Sequence, residues 1–317
     1  MADGESIRRR LLLSGGLSAA AVVAGYWLVR RDKRPEATVL AQPVSRVEIP
    51  DDARFPRAVA ARGEDPRELV RRAVAALGGM GRFISRGDVV VVKPNISWDR
   101  TPWQAATTNP EVVGEVVRLC VGAGARQVVV TDVSINEARN CFDRSGIGAA
   151  ALAAGARVVL PESRLFREID LKGDVLRVWP VLEPFLAADK VINLPVAKHH
   201  SLSAVTLGLK NWYGILGGER QRLHQRIHES VVDLAAFMRP ALTLIDCWRV
   251  LLRNGPGGGN VEDVLDARTL VAGTDPVALD AWTAHEFWKL EAPALPYLAL
   301  ARERGLGSTV IDGVRAL

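Results

Sequence analysis

The chain has 317 residues, of which 48% are hydrophobic and 24% charged, a balance typical of a folded protein with a core of ordinary size. Most of its formal charge of +5 comes from the first 34 residues, which hold seven Lys and Arg against three Asp and Glu side chains. The remainder is nearly neutral, which argues against a nucleic-acid partner.

Residues 1 to 35 have the pattern of an export leader. Three consecutive arginines begin at Arg8, an apolar run extends from Leu11 to Leu28, and a second basic cluster follows. This pattern resembles a twin-arginine signal. The run is close to the length of a bilayer span and no small-x-small cleavage site follows it, so retention as an anchor is as well supported as removal. We expect the twin-arginine translocation machinery to export the chain to the periplasm or the outer face of the cytoplasmic membrane.

The rest of the chain is predicted to form one domain, because no long run of Ser, Gly or Pro divides it after about residue 60. We predict an extended linker over 36–56 and an α/β domain over 57–317. Cys120, Cys141 and Cys247 are widely spaced and no C-x-x-C occurs, so no iron-sulphur cluster is expected within this chain. One disulfide or three buried thiols remain open.

Short apolar runs alternate with helix-like segments after residue 35. The runs predicted as strands are Asp88–Lys93, Gln127–Asp132, Arg157–Leu160, Lys190–Leu194, Leu242–Asp246 and Thr269–Gly273. The predicted helices are Pro66–Leu77, Pro110–Gly122, Ile147–Ala154, His228–Phe237 and Pro276–Leu290. This alternation predicts an α/β fold with a mainly parallel sheet and helices on both faces.

Polar residues follow several of the predicted strands. Lys93 and Asn95 come at the end of the first strand, Asp132 ends the second, and Asp246 ends a later one. Ligands of parallel sheets bind at the carboxyl ends of the strands, so these residues are expected to be neighbours. An aspartate in such a place also caps a following helix when taken alone. Several polar strand ends together favour a site.

Four of the five histidines lie within thirty residues, at His199, His200, His224 and His228. The last two are spaced i and i+4, by which a helix offers two imidazoles to one metal ion. Gln225 stands where zinc peptidases of the H-E-x-x-H type have Glu, so that activity is not expected. Solvent-facing or capping histidines are the alternative for this pair.

Lysines and asparagines near these histidines suit an anionic ligand. Lys198 and Lys210 can bind a carboxylate or a phosphate, which Asn95 and Asn211 can orient by hydrogen bonds. The glycine-rich loops at 217–218 and 255–259 fit neither of the common nucleotide-binding patterns. They are better interpreted as a flexible lid.

Eight motifs occur in an order that resembles the family called domain of unknown function 362. They are VVVKPN, TTNP, LPVAKHH, GLKNWYG, RLHQRIH, LTLIDC, NGPGGG and AGTDPVALD, between about Arg57 and Ala281. The resemblance implies an exported protein, since members often carry a twin-arginine leader. Some members also carry a ferredoxin module, which this chain lacks. Cys247 stands where many relatives have glycine after the aspartate, and no reaction can be transferred from the family.

These observations predict an enzyme that acts on a small anionic molecule, with redox, isomerisation and hydrolysis left open. The candidate catalytic residues are Asp132, His199, His224, His228 and Asp246. The candidate ligand-binding residues are Lys93, Asn95, Asn109, Lys198, Lys210 and Asn211. The cofactor is unknown, and a divalent metal bound by His224 and His228 is left open. The alternative is a non-catalytic metal- or ligand-binding protein of the cell envelope.

Overall fold

A central ten-stranded sheet organises the chain, in a computed structural model that describes residues 49–50, 52–311 and 313–317. The described residues fall in one compact unit. The predicted leader and most of the predicted linker lie outside the described residues. Of the helices in the described ranges, none is both long and apolar enough to cross a membrane.

The strands are named here in chain order. They are β1 (Ala58–Arg62), β2 (Val89–Pro94), β3 (Gln127–Val130), β4 (Arg157–Val158), β5 (Phe166–Asp170), β6 (Val178–Leu182), β7 (Lys190–Leu194), β8 (Val196–His200), β9 (Ala204–Thr206), β10 (Leu242–Leu251), β11 (Val264–Gly273) and β12 (Val314–Ala316). The order across the large sheet is β12-β1-β11-β10-β7-β2-β3-β4, with β8 beside β10 and β9 beside β8. Strands β5 and β6 form a separate antiparallel pair.

Most neighbours in the large sheet are parallel. Strands β10, β7, β2, β3 and β4 run in one direction, and β11 is antiparallel to both β10 and β1. The register places Lys93 of β2 opposite Asn193 of β7, and Asn193 opposite Thr243 of β10. The carboxyl ends of β2 and β7 therefore lie side by side, as the sequence predicted, whereas β10 meets β7 at its amino end.

Helices cover both faces of the sheet. They are α1 (Pro66–Ala76), α2 (Pro110–Gly122), α3 (Ala138–Arg144), α4 (Ile147–Ala153), α5 (Glu183–Ala187), α6 (Ile227–Phe237), α7 (Pro276–Trp288) and α8 (Pro296–Glu303). Val90 and Val92 pack in the core with α1, α2 and α4, whereas Val91 packs on the opposite side with α6, α7 and α8. This alternation explains the continuous valine run, because each face of β2 is buried. The predicted α/β class is confirmed.

Several helices begin where the sequence places an Asx residue before a proline. The side chain of Asp65 accepts hydrogen bonds from the first-turn amides of α1, and Asp275 does the same for α7. Asn109 caps α2 by accepting from the amide of Glu111. The predicted starts of these three helices are therefore confirmed.

Two strand predictions were wrong in ways that move site residues. No strand was predicted between Leu194 and Leu242, but the segment after Pro195 forms β8 and pairs with β10 and β9. The strand that was expected to end at Asp246 continues to Leu251 after a register shift between Cys247 and Arg249. Asp246 therefore lies inside β10, where it pairs with Leu270 and does not mark a strand end.

Candidate functional site

A cavity of about 750 Å³ lies beside the carboxyl ends of β2 and β7 and the inner face of β8. Five of the predicted site residues line it, namely Asn95, Lys198, Lys210, Asn211 and His224. The lining also includes His200, Thr206, Tyr213 and Arg220, together with the apolar side chains of Trp98, Ile135 and Leu202. Lys93 and Asp132 are fully buried behind Asn211.

Asn211 joins the buried polar groups behind the cavity. Its Oδ1 accepts from Lys93 Nζ at 3.0 Å and from Asn95 Nδ2 at 3.1 Å. Its Nδ2 donates to the carbonyl of Lys93 at 3.2 Å and to Asn193 Oδ1 at 2.9 Å. The side chain therefore uses both donors and both acceptor directions. It links residues from β2, β7 and the 3₁₀ helix 210–215 into one network.

Lys93 and Asp132 form a buried ion pair, with 2.7 Å between Nζ and Oδ1. Asp132 Oδ2 also accepts from the amide of Ile96 at 2.6 Å. Burial lowers the pKa of Lys93, and the charge of Asp132 opposes that effect. The pair is fully buried and both members have protein partners, so it is better suited to holding the strand ends together than to contacting a ligand.

Gly214 is needed for the close approach of the 3₁₀ helix to this pair. A Cβ atom there would overlap Asp132 Oδ1 and come within 2.7 Å of Lys93 Nζ. Its carbonyl also accepts from the amide of Val133 at 2.8 Å. Only glycine allows the backbone this approach, because any larger residue would displace the ion pair.

Strand β8 presents Lys198 and His200 to the cavity on one face, and His199 on the other, because successive side chains alternate. Lys198 Nζ donates to Asn95 Oδ1 at 3.0 Å and to the carbonyl of Ala106 at 2.6 Å. Its third proton is left for a ligand. Burial lowers the pKa of Lys198 to about 7, and the charge of Lys210 adds to this.

Lys210 is the second buried lysine of the cavity lining. Its Nζ lies 4.4 Å from the centre of the Tyr213 ring, and it has no hydrogen-bond partner within the described part of the chain. Burial lowers the pKa of Lys210 to about 7, and Arg220 contributes. The loop before Lys210 is fixed by Asp280, whose carboxylate accepts from the amides of Gly208 and Leu209 at 2.7 and 3.0 Å.

Arg220 adds a third cation, and no carboxylate of the described residues is in direct contact with it. Its guanidinium donates to the carbonyls of Val133 at 2.7 Å and Ser134 at 2.5 Å. Burial lowers the pKa of Arg220, and the charge of Asp132 opposes this. Glu219 is the carboxylate that lines the cavity in the described ranges, and it is exposed and lies 3.7 Å from Arg222. The inner part of the cavity is therefore positive.

His200 and His224 form a stacked pair in the cavity, with ring centres 5.8 Å apart. His200 Nδ1 accepts from the amide of Leu202 at 3.1 Å, so the neutral ring carries its proton on Nε2. Burial lowers the pKa of His200 to about 2, with Lys210 contributing, and burial also lowers the pKa of His224. Both rings are neutral near pH 7 and act there as hydrogen-bonding groups.

Besides the buried Lys93 and Asp132, four predicted site residues lie outside the cavity lining. His199 Nδ1 accepts from the amide of Gly255 at 3.1 Å, and His228 stacks on Tyr297 with 6.4 Å between ring centres. Asn109 serves as a helix cap, and Asp246 accepts from the amides of Asn109 and Trp248. Burial raises the pKa of Asp246 to about 6. The structure assigns these four residues to local contacts.

The predicted metal pair is divided between two environments. The segment containing His224 is a 3₁₀ helix over Arg220–Arg226, and α6 begins only at Ile227. His224 packs against His200 and the edge of Tyr213, whereas His228 packs against Tyr297. Within the described ranges, no group of three or more His, Cys, Asp or Glu side chains is arranged to hold a metal ion. Metal binding by this pair stays a prediction.

The three cysteines lie apart from this chemistry. Cys120, Cys141 and Cys247 are all free and buried. Burial raises the pKa of Cys120 to about 12 and that of Cys247 well above its ordinary value. These thiols are in their neutral, unreactive form near pH 7.

Sequence reasoning missed His200 and Arg220 as cavity residues. The alternation expected of a strand would have selected His200 with Lys198, had the segment after Pro195 been interpreted as a strand. Nothing local distinguishes Arg220 from the solvated arginines that follow it. Its place depends on the carbonyls of Val133 and Ser134, which are more than eighty residues away in the sequence.

Comparisons with known proteins identify one relative by sequence and distant likenesses among solved structures. A thylakoid-associated protein of Synechocystis sp. is 28% identical over 251 residues, which are 77% of this chain and 76% of that protein. A lactate racemase apoprotein from Thermoanaerobacterium thermosaccharolyticum shows 14% identity and a TM-score of 0.39 over 70% of this chain and 55% of its own. A protein from Thermotoga maritima shows 11% identity and a TM-score of 0.37 over 76% of this chain and 60% of its own.

The chain thus spans less than two thirds of either solved protein, and those likenesses are too distant to bear on function. The family model described as Domain of unknown function (DUF362) matches residues 90–285. This match covers more than half of the chain, and the chain therefore belongs to the DUF362 family.

Proposed function

We propose that the chain is an exported enzyme that binds a small anionic molecule in this cavity and moves a proton to or from it. The observation behind the proposal is Lys210, a buried amine that faces the cavity with no hydrogen-bond partner in the described ranges. Lys198 and Arg220 line the same space. Burying positive charge without a counterion is costly, and a bound carboxylate or phosphate would supply the missing partner.

The proton-transfer part of the proposal is supported by the lysine environments. A general acid or base works best when its pKa lies near the working pH, and burial lowers the pKa of Lys198 and of Lys210 to about 7. Lys198 is held by Asn95 and Ala106, so we assign it, with Arg220, to holding the anion. Lys210 has a free amine and is assigned to carrying the proton. His200 Nε2 and Thr206 Oγ1 are further hydrogen-bonding groups of the lining, and Thr206 Oγ1 has no partner among the described residues.

Anion binding is tested by thermal unfolding of the full chain with small carboxylates and inorganic phosphate. A ligand at 100 times its dissociation constant stabilises the folded state by ~2.7 kcal/mol. We expect this response to fall in Lys198→Met and Arg220→Met, and to persist in Lys172→Met, whose lysine is exposed and lies in the connection between β5 and β6. Absence of any response to the whole set of anions would contradict the proposal.

Turnover is tested by incubating each bound anion with the protein in deuterium oxide and following its proton NMR spectrum. We expect loss of signal at a carbon-bound proton next to the anionic group, and no loss with Lys210→Met. Binding without exchange or other product formation would favour the second candidate, a non-catalytic ligand-binding protein of the cell envelope. That candidate is also consistent with the anion site, because holding an anion does not require chemistry.

Export is proposed from the leader, and the thylakoid-associated relative is consistent with a location at a membrane. We expect the chain to appear in the periplasmic fraction or on the outer face of the cytoplasmic membrane in a bacterial host with an active twin-arginine pathway. Replacement of the three arginines that begin at Arg8 by lysine should retain it in the cytoplasm. Unchanged export of that variant would contradict the twin-arginine route.

A further inference from the structure

The cavity has a charged inner part, and large apolar side chains are among the residues at its opening. Lys198 and Lys210 are only 1% and 7% exposed, whereas Ile135 and Leu202, which line the same cavity, are 53% and 58% exposed. Trp98 also lines it and packs against the glycine-rich loop at Gly257. The exposed part of the lining also includes Glu219, Gln221 and Arg222. A ligand that fills this space therefore meets positive charge at its inner end, and Trp98, Ile135 and Leu202 offer it apolar contacts further out.

The exposed apolar residues at the opening are specific to this cavity. Nine large hydrophobic side chains are exposed in the described ranges, and Ile135 and Leu202 are the two of them that line any of the larger cavities. Both are fixed by backbone hydrogen bonds. The amide of Ile135 donates to the carbonyl of Ser97 at 2.8 Å, and the amide of Leu202 donates to His200 Nδ1. These bonds hold the main chain of both residues at the opening, where their side chains are available to an apolar part of a ligand.

The cavity has room for more than an anionic group. Its volume of about 750 Å³ is many times the ~30 Å³ that a water molecule occupies in the liquid. Pockets of roughly 300 to 1,000 Å³ hold molecules of drug size and are lined mostly by apolar side chains. A carboxylate or phosphate at Lys198 and Lys210 leaves most of this space to be filled by another part of the same molecule.

We infer that the ligand is an anionic amphiphile, in which one carboxylate or phosphate binds the inner cations and an apolar chain or ring lies between Trp98, Ile135 and Leu202. This inference rests on the proposed function, since it takes the same cations as the anion site. It adds the chemical class of the rest of the molecule. Burial of the apolar part supplies affinity that grows with its length, at ~0.8 kcal/mol for each methylene, which is roughly a fourfold gain in affinity.

The test is a matched series of acetate, butyrate, hexanoate and octanoate, bound to the full chain and measured by calorimetry below the micelle concentration. We expect affinity to rise by roughly threefold to fourfold for each added methylene. Octanamide, which lacks the charge, should bind at least tenfold more weakly than octanoate. Octyl phosphate and vesicles that contain phosphatidic acid then show whether the head group belongs to a free molecule or to a membrane lipid.

The variant Ile135→Ser plus Leu202→Ser should reduce the gain for each methylene, and Leu152→Ser is the control. Leu152 is 60% exposed and lies on α4, away from the lining. Equal affinity of acetate and octanoate would overturn the inference and leave the anion site standing. The same loss of gain in the control would also overturn it, because the chain length would then be sensed outside the cavity. Failure of every carboxylate and phosphate to bind would instead remove the proposed function.

Discussion

Replacing Lys210 by methionine is expected to stabilise the folded protein near neutral pH. The ordinary pKa of the amine is 10.5, and burial lowers it to about 7 in the folded chain. One pKa unit corresponds to ~1.36 kcal/mol, so burial of this lysine costs as much as ~5 kcal/mol. Water in the cavity and relaxation around the amine reduce this figure. We therefore expect the variant to gain roughly 2 to 3 kcal/mol in its free energy of unfolding.

The stability difference between the variant and the parent should depend on pH, which a difference in packing alone would not do. Because the folded pKa is the lower one, the unfolded chain binds more protons between about pH 7 and pH 10.5, and the parent becomes more stable as pH rises through that window. Methionine does not titrate. The advantage of the variant is therefore complete below pH 7 and disappears above about pH 10.5. The charged or titratable groups around Lys210 are Lys198, Arg220, His200, His224 and Tyr213, which the variant keeps.

The assay is urea unfolding of the parent, Lys210→Met and Lys172→Met at several pH values between about 6 and 10. Methionine has a similar unbranched shape and keeps the packing against Tyr213. The exposed Lys172 should give a difference close to zero throughout. A Lys210→Met protein that is less stable than the parent at pH 7 would refute the reasoning. So would an advantage that stays constant as the pH rises.

Three further changes test the rest of the site. Gly214→Ala should lower the free energy of unfolding by several kcal/mol in urea unfolding, because its Cβ would overlap the Asp132 carboxylate. The control is Gly81→Ala, which also lies in a 3₁₀ helix, has nothing within 4 Å of its added Cβ and should cost under ~1 kcal/mol. Equal costs would contradict the close approach of Gly214 to the ion pair of Lys93 and Asp132. Asn211→Ala should cost roughly 3 kcal/mol through four lost buried hydrogen bonds, and a cost near zero would show that the network does not hold the strand ends. Because His224 and His228 contact different rings, their double alanine variant should retain as much metal as the parent by elemental analysis, and a loss of metal would restore the predicted pair.

Much of the architecture follows from local patterns in the sequence. The valine run of β2 predicts a strand buried on both faces, and Pro110 after Asn109 predicts the start of α2. Parallel strands then bring their carboxyl ends together, which is why Lys93 and Asp132 could be expected to meet although they are far apart in the chain. These features depend on the order and direction of the strands and helices, so they can be predicted from the sequence.

The details of the cavity depend on interactions that the sequence does not display. Pro195 separates β7 from β8, and the second strand was not predicted. Without the alternation of a strand, His199 was selected from the sequence, whereas His200 is the one that lines the cavity. A register shift after Cys247 extends β10 and places Asp246 inside it. The position of Arg220 depends on carbonyl groups of distant residues. Strand β8, the register of β10 and the position of Arg220 all depend on tertiary contacts, which the hydrophobic pattern of the sequence does not show.

The face of β8 that points away from the cavity connects the strand to the glycine-rich loop at 255–259. His199 receives the amide of Gly255, and a Cβ at that glycine would overlap the carbonyl of His199, so the loop is pressed against the strand. Pro256, the next residue, lines the cavity, and Lys198 precedes His199. A molecule that displaces Pro256 must therefore break the bond to His199 or pull the strand with it. Entry of a ligand past Pro256 and the position of the Lys198 amine are thereby linked through the imidazole of His199.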